Sequence, residues 1–236
     1  MRTCRRRFSR SPATVRAVDR GVLRACAGAL AVLLVVLTAA GVTAAPAVPG
    51  IAKLSAADRA DVTRIEAYLN KITTMRSRFL QVASNGDYSE GTVYFAKPGK
   101  MRLEYDDPKP ILIVADGVNL TYFDKVLRQV SYFDLQSTQA SILLKKHISF
   151  QEDEVLITQF ERGAGVLRLT VIRANAPYEG NLTLIFSDNP LDLKKWTVTD
   201  AQGVVTNVSL LGPRYDLKLS PELFNFIPPD DSLRNN

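Results

Sequence analysis

Few residues of this 236-residue chain could perform catalysis. His147 is the only histidine, and it follows Lys145 and Lys146 with no serine or carboxylate at the spacing of a catalytic set. Both cysteines, Cys4 and Cys26, lie near the amino terminus. We therefore predict that the protein is not an enzyme, and we predict no catalytic residues, no metal and no cofactor.

Two acidic runs are the remaining candidates for acid-base or metal chemistry. Asp106 and Asp107 precede Pro108 in a turn sequence, and residues 152–154 read Glu-Asp-Glu between two predicted elements. Carboxylates in such positions are usually solvated loop residues. The sequence therefore favours binding by an apolar surface over chemistry.

Residues 1–47 are typical of a cleaved secretory signal peptide. An arginine-rich start precedes the apolar run from Ala25 to Leu37, which is short for a membrane span, and small residues follow. The candidate cleavage sites are Val42-Thr43-Ala44 and Ala45-Pro46-Ala47. We predict export to the periplasm, with cleavage after Ala47 and residues 48–236 as the mature domain.

Two other interpretations of the leader remain open. A twin-arginine signal at Arg5-Arg6-Arg7-Phe8 is far upstream of the apolar run, and a lipoprotein signal ending at Cys26 precedes that run instead of following it. The start codon could also lie downstream of Met1.

The basic character of the chain belongs to its leader. The whole chain has a net charge of +6, but the first 47 residues contain eight of its 30 Lys and Arg residues and one of its 24 acidic residues. The remainder therefore has a net charge of −1, which does not favour nucleic acid as a partner. We expect a single domain that acts as a monomer.

One helical segment precedes a long series of strands. Leu54 to Thr74 has helical apolar spacing, with Ser55 as its expected N-cap and Asp58 three residues on. Alternation of apolar and polar residues then predicts eleven strands. They are Arg76–Ala83, Gly91–Phe95, Met101–Tyr105, Ile111–Ala115, Leu120–Phe123, Gln129–Phe133, Val155–Glu161, Val166–Arg173, Asn181–Phe186, Lys194–Thr199 and Val204–Leu210.

A short amphipathic stretch from Leu135 to His147 divides this series. We interpret it as a lid helix. About eleven antiparallel strands in one chain favour a curled, incomplete β-barrel over a flat sheet, because strands twist and free edges must be managed. The predicted fold class is α+β, mainly β, with short helices forming a lid over an apolar cavity.

The order of several short motifs resembles the LolA family of outer-membrane lipoprotein carriers, over essentially all of residues 48–236. The motifs are Phe79-Leu80-Gln81, Tyr94-Phe95-Ala96-Lys97-Pro98-Gly99-Lys100-Met101-Arg102-Leu103-Glu104-Tyr105, Ile113-Val114-Ala115-Asp116-Gly117, Gln129-Val130 and Leu223-Phe224-Asn225-Phe226. The stretch Asn181 to Thr206 is similar to alphaproteobacterial versions. Lys97 stands where arginine is common in the family, and Met101 and Leu103 stand where phenylalanine and tryptophan are frequent.

The resemblance implies a periplasmic chaperone that takes the acyl chains of lipoproteins into a cavity. Cargo would come from an ATP-driven inner-membrane release complex and leave to an outer-membrane acceptor where one exists. A periplasmic lipoprotein sensor or regulator, and an outer-membrane acceptor of the same fold, are the alternative functions.

With this resemblance, the alternating strand residues become candidates for lipid contact. The predicted lipid-binding residues are Phe79, Val93, Phe95, Met101, Leu103, Ile111, Ile113, Leu120, Tyr122, Leu143 and Leu144. Lys97 or Arg102 is expected to latch the closed lid by donating hydrogen bonds to carbonyls at helix C-termini.

Overall fold

The computed structural model describes residues 50–150 and 154–228, so the predicted signal peptide lies outside the described residues. Eleven antiparallel strands form one sheet in the order β6-β5-β4-β3-β2-β1-β11-β10-β9-β8-β7. The strands are β1 Thr74–Ala83, β2 Tyr88–Ala96, β3 Lys100–Tyr105, β4 Ile111–Asp116, β5 Asn119–Asp124, β6 Gln129–Asp134, β7 Val155–Gly163, β8 Val166–Arg173, β9 Asn181–Ser187, β10 Asp192–Thr199 and β11 Val205–Tyr215. In the part of the chain described, the end strands β6 and β7 are not paired with each other. The predicted incomplete barrel is confirmed as an open sheet.

Helices are few and short. Helix α1 spans Ala56–Lys71 and helix α2 spans Ala140–Leu144, with 3₁₀ turns at Leu135–Ser137 and Pro221–Phe224. The predicted lid segment is thus a 3₁₀ turn followed by a five-residue helix. Among the described residues, the helices are too short or too polar to cross a bilayer.

Helix α1 begins as its sequence predicts. The Ser55 hydroxyl accepts from the Asp58 amide, and the Asp58 carboxylate accepts from the Ser55 amide, which together make a capping box. The helix ends at Lys71, three residues before the predicted end, because Ile72 already has extended backbone angles. The β-branched residues from Ile72 onward favour the strand that follows.

Polar contacts fix α1 to β7, to the turn between β9 and β10, and to the start of β10. Arg162 on β7 pairs with Asp61, Arg64 pairs with Asp188, and the Tyr68 hydroxyl donates to Asp192 at 2.8 Å. Burial raises the pKa of Tyr68, so its hydroxyl stays protonated. These contacts hold the apolar face of α1 on the inner surface of this half of the sheet.

The core beneath α1 is closely packed. Val62, Ile65 and Leu69 of the helix are buried, as are Leu169 of β8 and Phe186 of β9. The ring of Tyr68 meets that of Phe186 edge-on at 5.9 Å between centroids. This half of the sheet therefore carries a conventional hydrophobic core.

The outer face of β3 and β4 is covered by the carboxyl-terminal segment. The 3₁₀ turn Pro221–Phe224 lies against these two strands, and Phe224 is buried. Phe226 packs on Phe123 of β5, with 5.4 Å between ring centroids. The wall formed by β3 to β5 is thus supported from outside by a segment that belongs to no strand.

Candidate functional site

An apolar cavity of about 410 Å³ lies inside the curl of the sheet, next to α2. One wall comes from β3, β4 and β5, and the facing wall comes from β9, β10 and β11. The lining residues are Gln81, Phe95, Met101, Leu103, Tyr105, Ile111, Ile113, Leu120, Tyr122, Ala140, Leu143, Leu182, Trp196, Val198, Thr206 and Val208. Its volume is within the range of about 300–1,000 Å³ that ligand pockets occupy.

Eight of the eleven predicted lipid-binding residues line this cavity. They are Phe95, Met101, Leu103, Ile111, Ile113, Leu120, Tyr122 and Leu143. Strict alternation explains this result, because Met101, Leu103 and Tyr105 share the inner face of β3, and their partners on β4 and β5 share it with them.

Phe79, Val93 and Leu144 do not line the cavity. All three are buried in the surrounding core. The Phe79 ring covers Gly91, where a Cβ would lie 2.7 Å from that ring and 2.1 Å from the Glu104 carbonyl oxygen. Phe79 therefore replaces the missing side chain of its cross-strand neighbour instead of facing the cavity.

The facing wall was not identified from the sequence. Trp196, Val198 and Val208 form much of it, together with Leu182. The alternation of apolar and polar residues in β9 to β11 predicted strands, but it could not show that the sheet curls to bring them opposite β3 to β5. The rings of Trp196 and Phe95 lie 5.8 Å apart and join the two walls.

The cavity is deepest near the turn between β2 and β3. Phe95 and Met101 flank that turn and are buried, whereas Tyr105 and Ile111 at the opposite end of the strands are only half-buried. Tyr122 and Thr206 at that second end are also half-buried. The lining is therefore more exposed toward the turn between β3 and β4, which is its open end, and Leu120 at the other end is also half-buried.

The turn between β2 and β3 holds both helices by their carboxyl ends. The Lys97 Nζ donates to the Leu69 carbonyl oxygen of α1 at 2.9 Å, and the Gly99 amide donates to the Leu144 carbonyl oxygen of α2 at 2.8 Å. Carbonyls at a helix C-terminus lack partners within the helix, so a cation is favourable there. Burial lowers the pKa of Lys97 to about 8.

Gly99 requires the absence of a side chain. Its φ of +76° is in the left-handed region, and a Cβ would lie 2.7 Å from the Cα of Gly117 in the turn between β4 and β5. Two hairpin turns therefore touch beside α2, and this contact positions the Gly99 amide.

Arg102 does not lie where a lid latch must be. It is on the outer face of β3, because its neighbours Met101 and Leu103 face inward. Its guanidinium donates to the Leu223 carbonyl oxygen at 3.0 Å and pairs with Glu104. The prediction of a lid contact by Arg102 is corrected: this residue holds the carboxyl-terminal segment on the outside of the wall.

The chain before α2 is held by a buried arginine. Arg173, at the end of β8, donates to the carbonyl oxygens of Gln136 and Ser137 at 3.0 and 2.8 Å. The chain after α2 is held by Asn70 of α1, whose side chain bonds both the amide and the carbonyl of Ile148. Helix α2 thus lies in a short segment with an anchor on each side.

The polar residues considered for catalysis or metal binding do not come together in the structure. His147 is exposed, and Asp106 is exposed and paired with Arg78. Of the acidic run 152–154, only Glu154 is among the described residues, where it pairs with Lys145. No cluster of three metal-ligating side chains occurs within residues 50–150 and 154–228.

The fold and the cavity define a small β protein with an internal apolar chamber. The family model described as "Outer membrane lipoprotein carrier protein LolA" matches residues 70–227. The chain belongs to this family, and the family identified from its motifs is confirmed.

Named relatives of this chain are outer-membrane lipoprotein carrier proteins. An outer-membrane lipoprotein carrier protein of Legionella pneumophila (strain Paris) is 29% identical over 178 residues, which are 70% of this chain and 84% of the relative. One from Alkalilimnicola ehrlichii is 28% identical over 183 residues, covering 74% of this chain and 82% of the relative.

Solved structures are more distant. A LolA superfamily protein of Nitrosomonas europaea has a TM-score of 0.40 at 13% identity, covering 70% of this chain and 97% of that one. A complex of Pseudomonas aeruginosa MucA and MucB has a TM-score of 0.38 at 12% identity, covering 72% of this chain and 61% of that one. Both likenesses are too weak to carry an argument about function.

Proposed function

We propose that this protein is a periplasmic chaperone that binds the acyl chains of lipoproteins and carries them from the inner to the outer membrane. Residues 1–47 would direct export and be removed, leaving residues 48–236 as the carrier. The apolar cavity between the two walls is the observation that carries this proposal. The names of the relatives support it.

An acylated protein needs such a carrier because its chains cannot stay in water. Each buried CH₂ group is worth about 0.8 kcal/mol, so a long acyl chain gains roughly 10 kcal/mol or more when it leaves water. The wall of Met101, Leu103 and Ile113 offers aliphatic side chains of adaptable shape. Such a wall accepts chains of different length and still allows their release.

The cavity in this structure is too small for a complete set of acyl chains. A cavity of about 150 Å³ accommodates one benzene molecule, with six carbons. On that scale, 410 Å³ accommodates roughly one long chain. Loading of two or three chains therefore requires that part of the cavity boundary moves.

Helix α2 is the short helix on the cavity boundary, and its five residues lie between two anchored positions of the chain. It presents Ala140 and Leu143 to the cavity, and the Gly99 amide bonds its last carbonyl. Helix α1 instead has ion pairs and hydrogen bonds to β7 and to the segment from Asp188 to Asp192. We propose that α2 swings outward between its anchors at Ser137 and Ile148 while α1 stays fixed.

Lys97 would hold the empty carrier closed, and this latch is part of the proposal. Its ammonium group anchors the turn between β2 and β3 on the fixed helix α1, and the Gly99 amide of the same turn bonds α2. Loss of the Lys97 contact would therefore loosen the hold of this turn on α2. The cargo would be received from an ATP-driven inner-membrane release complex and given to an outer-membrane acceptor. The protein would act as a monomer without catalysis or cofactor.

The test is to isolate the mature protein from periplasm and to identify bound lipoproteins by mass spectrometry. We expect triacylated lipoproteins with the wild type and none with Leu143→Glu, which places a charge in the cavity wall. Leu127→Glu is the matched control, because Leu127 is exposed in the turn between β5 and β6. Absence of lipoproteins from the wild type, with a working release complex present, would contradict the proposal.

A further inference from the structure

Gln81 and Tyr105 form a hydrogen-bonded polar pair within the mainly apolar lining of the cavity. The Tyr105 hydroxyl donates to the Oε1 of Gln81 at 2.6 Å, and both side chains line the cavity. Gln81 is on the inner face of β1, and its partner in β11 is Val208, which also lines the cavity. A glutamine in such a wall needs an explanation, because an amide placed against hydrocarbon costs free energy unless it is hydrogen-bonded.

In the structure, the Gln81 amide turns its oxygen toward the Tyr105 hydroxyl and its nitrogen away from it. Because Oε1 accepts from the phenol, Nε2 is left as a donor, and it has no hydrogen-bond partner among the described residues. Burial raises the pKa of Tyr105 to about 12, so the phenol keeps its proton and donates at neutral pH. The cavity therefore contains an oriented N–H donor with unused capacity.

This donor lies where the linkage between an acyl chain and its head group would be when the chain is bound. The buried end of the cavity is formed by Phe95, Met101 and Trp196, whereas Gln81 and Tyr105 are half-buried at the open end. An acyl chain that enters with its methyl end first leaves its linkage to the head group at the open end. That linkage carries a carbonyl oxygen, which accepts hydrogen bonds and cannot donate them.

We propose that Nε2 of Gln81 donates to an ester carbonyl oxygen of the diacylglyceryl group on a lipoprotein, and that Tyr105 positions the amide for this bond. This inference rests on the proposed function and adds a recognition element to it. The apolar walls supply the affinity for any chain, and the Gln81 amide sets the depth at which the chain stops. It also distinguishes acyl esters from plain hydrocarbon.

The experiment compares two synthetic lipopeptides in a fluorescence displacement assay with the mature protein. One has two ester-linked palmitoyl chains on its glyceryl cysteine, and the other has ether-linked hexadecyl chains without those carbonyls. We expect the wild type to bind the diester about tenfold more tightly, because the ether has no oxygen at the position of the carbonyl that Nε2 would bond. Equal binding of both ligands would overturn the inference and leave the carrier proposal standing, whereas binding of neither would contradict the carrier proposal itself.

Substitutions test whether Gln81 and Tyr105 cause the preference for the diester. Gln81→Met has similar length and no amide donor, so it should lose most of the preference, with the freed Tyr105 hydroxyl as the remaining donor of the pair. Tyr105→Phe should lower the preference to about threefold, since the amide remains but is no longer oriented. The double variant removes both donors and should bind both lipopeptides equally. Persistence of the tenfold preference in the double variant would contradict the assignment.

Two controls separate this effect from other changes in the cavity. Gln159→Met makes the same substitution at an exposed position of β7 that does not line the cavity, and it should keep the ratio between the two ligands. A dipalmitoyl phospholipid supplies the same esters on a charged head group and tests the source of the ligand. We expect it to displace the lipopeptide only at more than tenfold higher concentration, and equal potency would overturn the choice of a lipoprotein ester.

Discussion

The two halves of the sheet have the same alternation of apolar and polar residues, but the apolar residues on their inner faces have different surroundings. On β8 and β9, the inner residues Leu169, Leu184 and Phe186 are fully buried beneath α1. On β4 and β5, the inner residues Ile113 and Leu120 are only partly buried and line a cavity. The difference arises because α1 is fixed over the first half, whereas only α2, five residues long, borders the second. An apolar strand face thus becomes core or binding surface according to the helix that covers it.

A pair of leucine truncations tests this difference most strongly. Leu169→Ala should lower the free energy of unfolding by about 3–4 kcal/mol, because it opens a void in a packed core. Leu120→Ala should lower it by about 1 kcal/mol, since that side chain already borders empty space. Urea unfolding followed by circular dichroism measures both values. Similar losses in the two variants would show that the two halves are equally packed.

Gly99→Ala tests the contact that holds α2 over the second half. The new methyl group must displace the Gly117 backbone and adopt an unfavourable positive φ, so we expect a loss of about 2 kcal/mol. The Gly99 amide should also lose its bond to Leu144. Loss of this bond would appear as faster hydrogen exchange in α2 than in α1. Gly203→Ala is the control, because Gly203 also has a positive φ but has open space around it.

Lys97 gives the closed form a dependence on pH. Its pKa is about 8 in the folded protein and 10.5 in its ordinary state, so the unfolded chain binds more protons between these values. Stability from this residue therefore rises as pH increases from about 8 to 10.5, by roughly 1–2 kcal/mol after allowance for its bond to Leu69. The difference in unfolding free energy between wild type and Lys97→Met, measured across this range, isolates the effect from other lysines. A flat difference would contradict the burial of Lys97.

Lys97→Leu tests the latch directly, because it keeps an apolar stem and removes the donor to α1. We expect altered binding or release of lipopeptide in this variant. If both rates stay at wild-type values, Lys97 is not a latch.

The smallest expected effect concerns the outside of the cavity wall. Arg102→Met should release the carboxyl-terminal segment from β3 at a loss of about 1 kcal/mol, because it removes the bond to the Leu223 carbonyl. Proteolysis near Phe226 should become faster, while lipopeptide affinity stays within about twofold. A large loss of affinity would mean that the outer support shapes the cavity.

Sequence patterns predicted the elements well because their signals are local. The capping box at Ser55 and the alternation along β3 to β5 depend on near neighbours, and both are present in the structure. The same alternation places Arg102 on the outer face, between the inward-facing Met101 and Leu103. A lid contact predicted from the charge of Arg102 conflicts with this alternation.

Other features could not be predicted because they depend on distant contacts. Trp196 and Val208 line the cavity only because β11 pairs with β1 and the sheet then curls. The bond from Gly99 to Leu144 joins residues 45 positions apart, across a turn and a helix with no shared pattern. The position of Gln81 in the cavity wall also could not be predicted, because a single polar residue on a strand does not show which strands lie opposite it.

The central claim is that acyl chains occupy the cavity between β3 to β5 and the facing strands β9 to β11, at the part of the inner surface that α1 leaves uncovered. A lipopeptide with a photoreactive diazirine near the end of one acyl chain tests it most directly, with cross-linked residues identified by mass spectrometry after irradiation. We predict labelling of β3 to β5, of α2 and of the facing wall around Trp196. Labelling concentrated on β8 and the buried face of α1, or spread over the outer surface alone, would contradict the account.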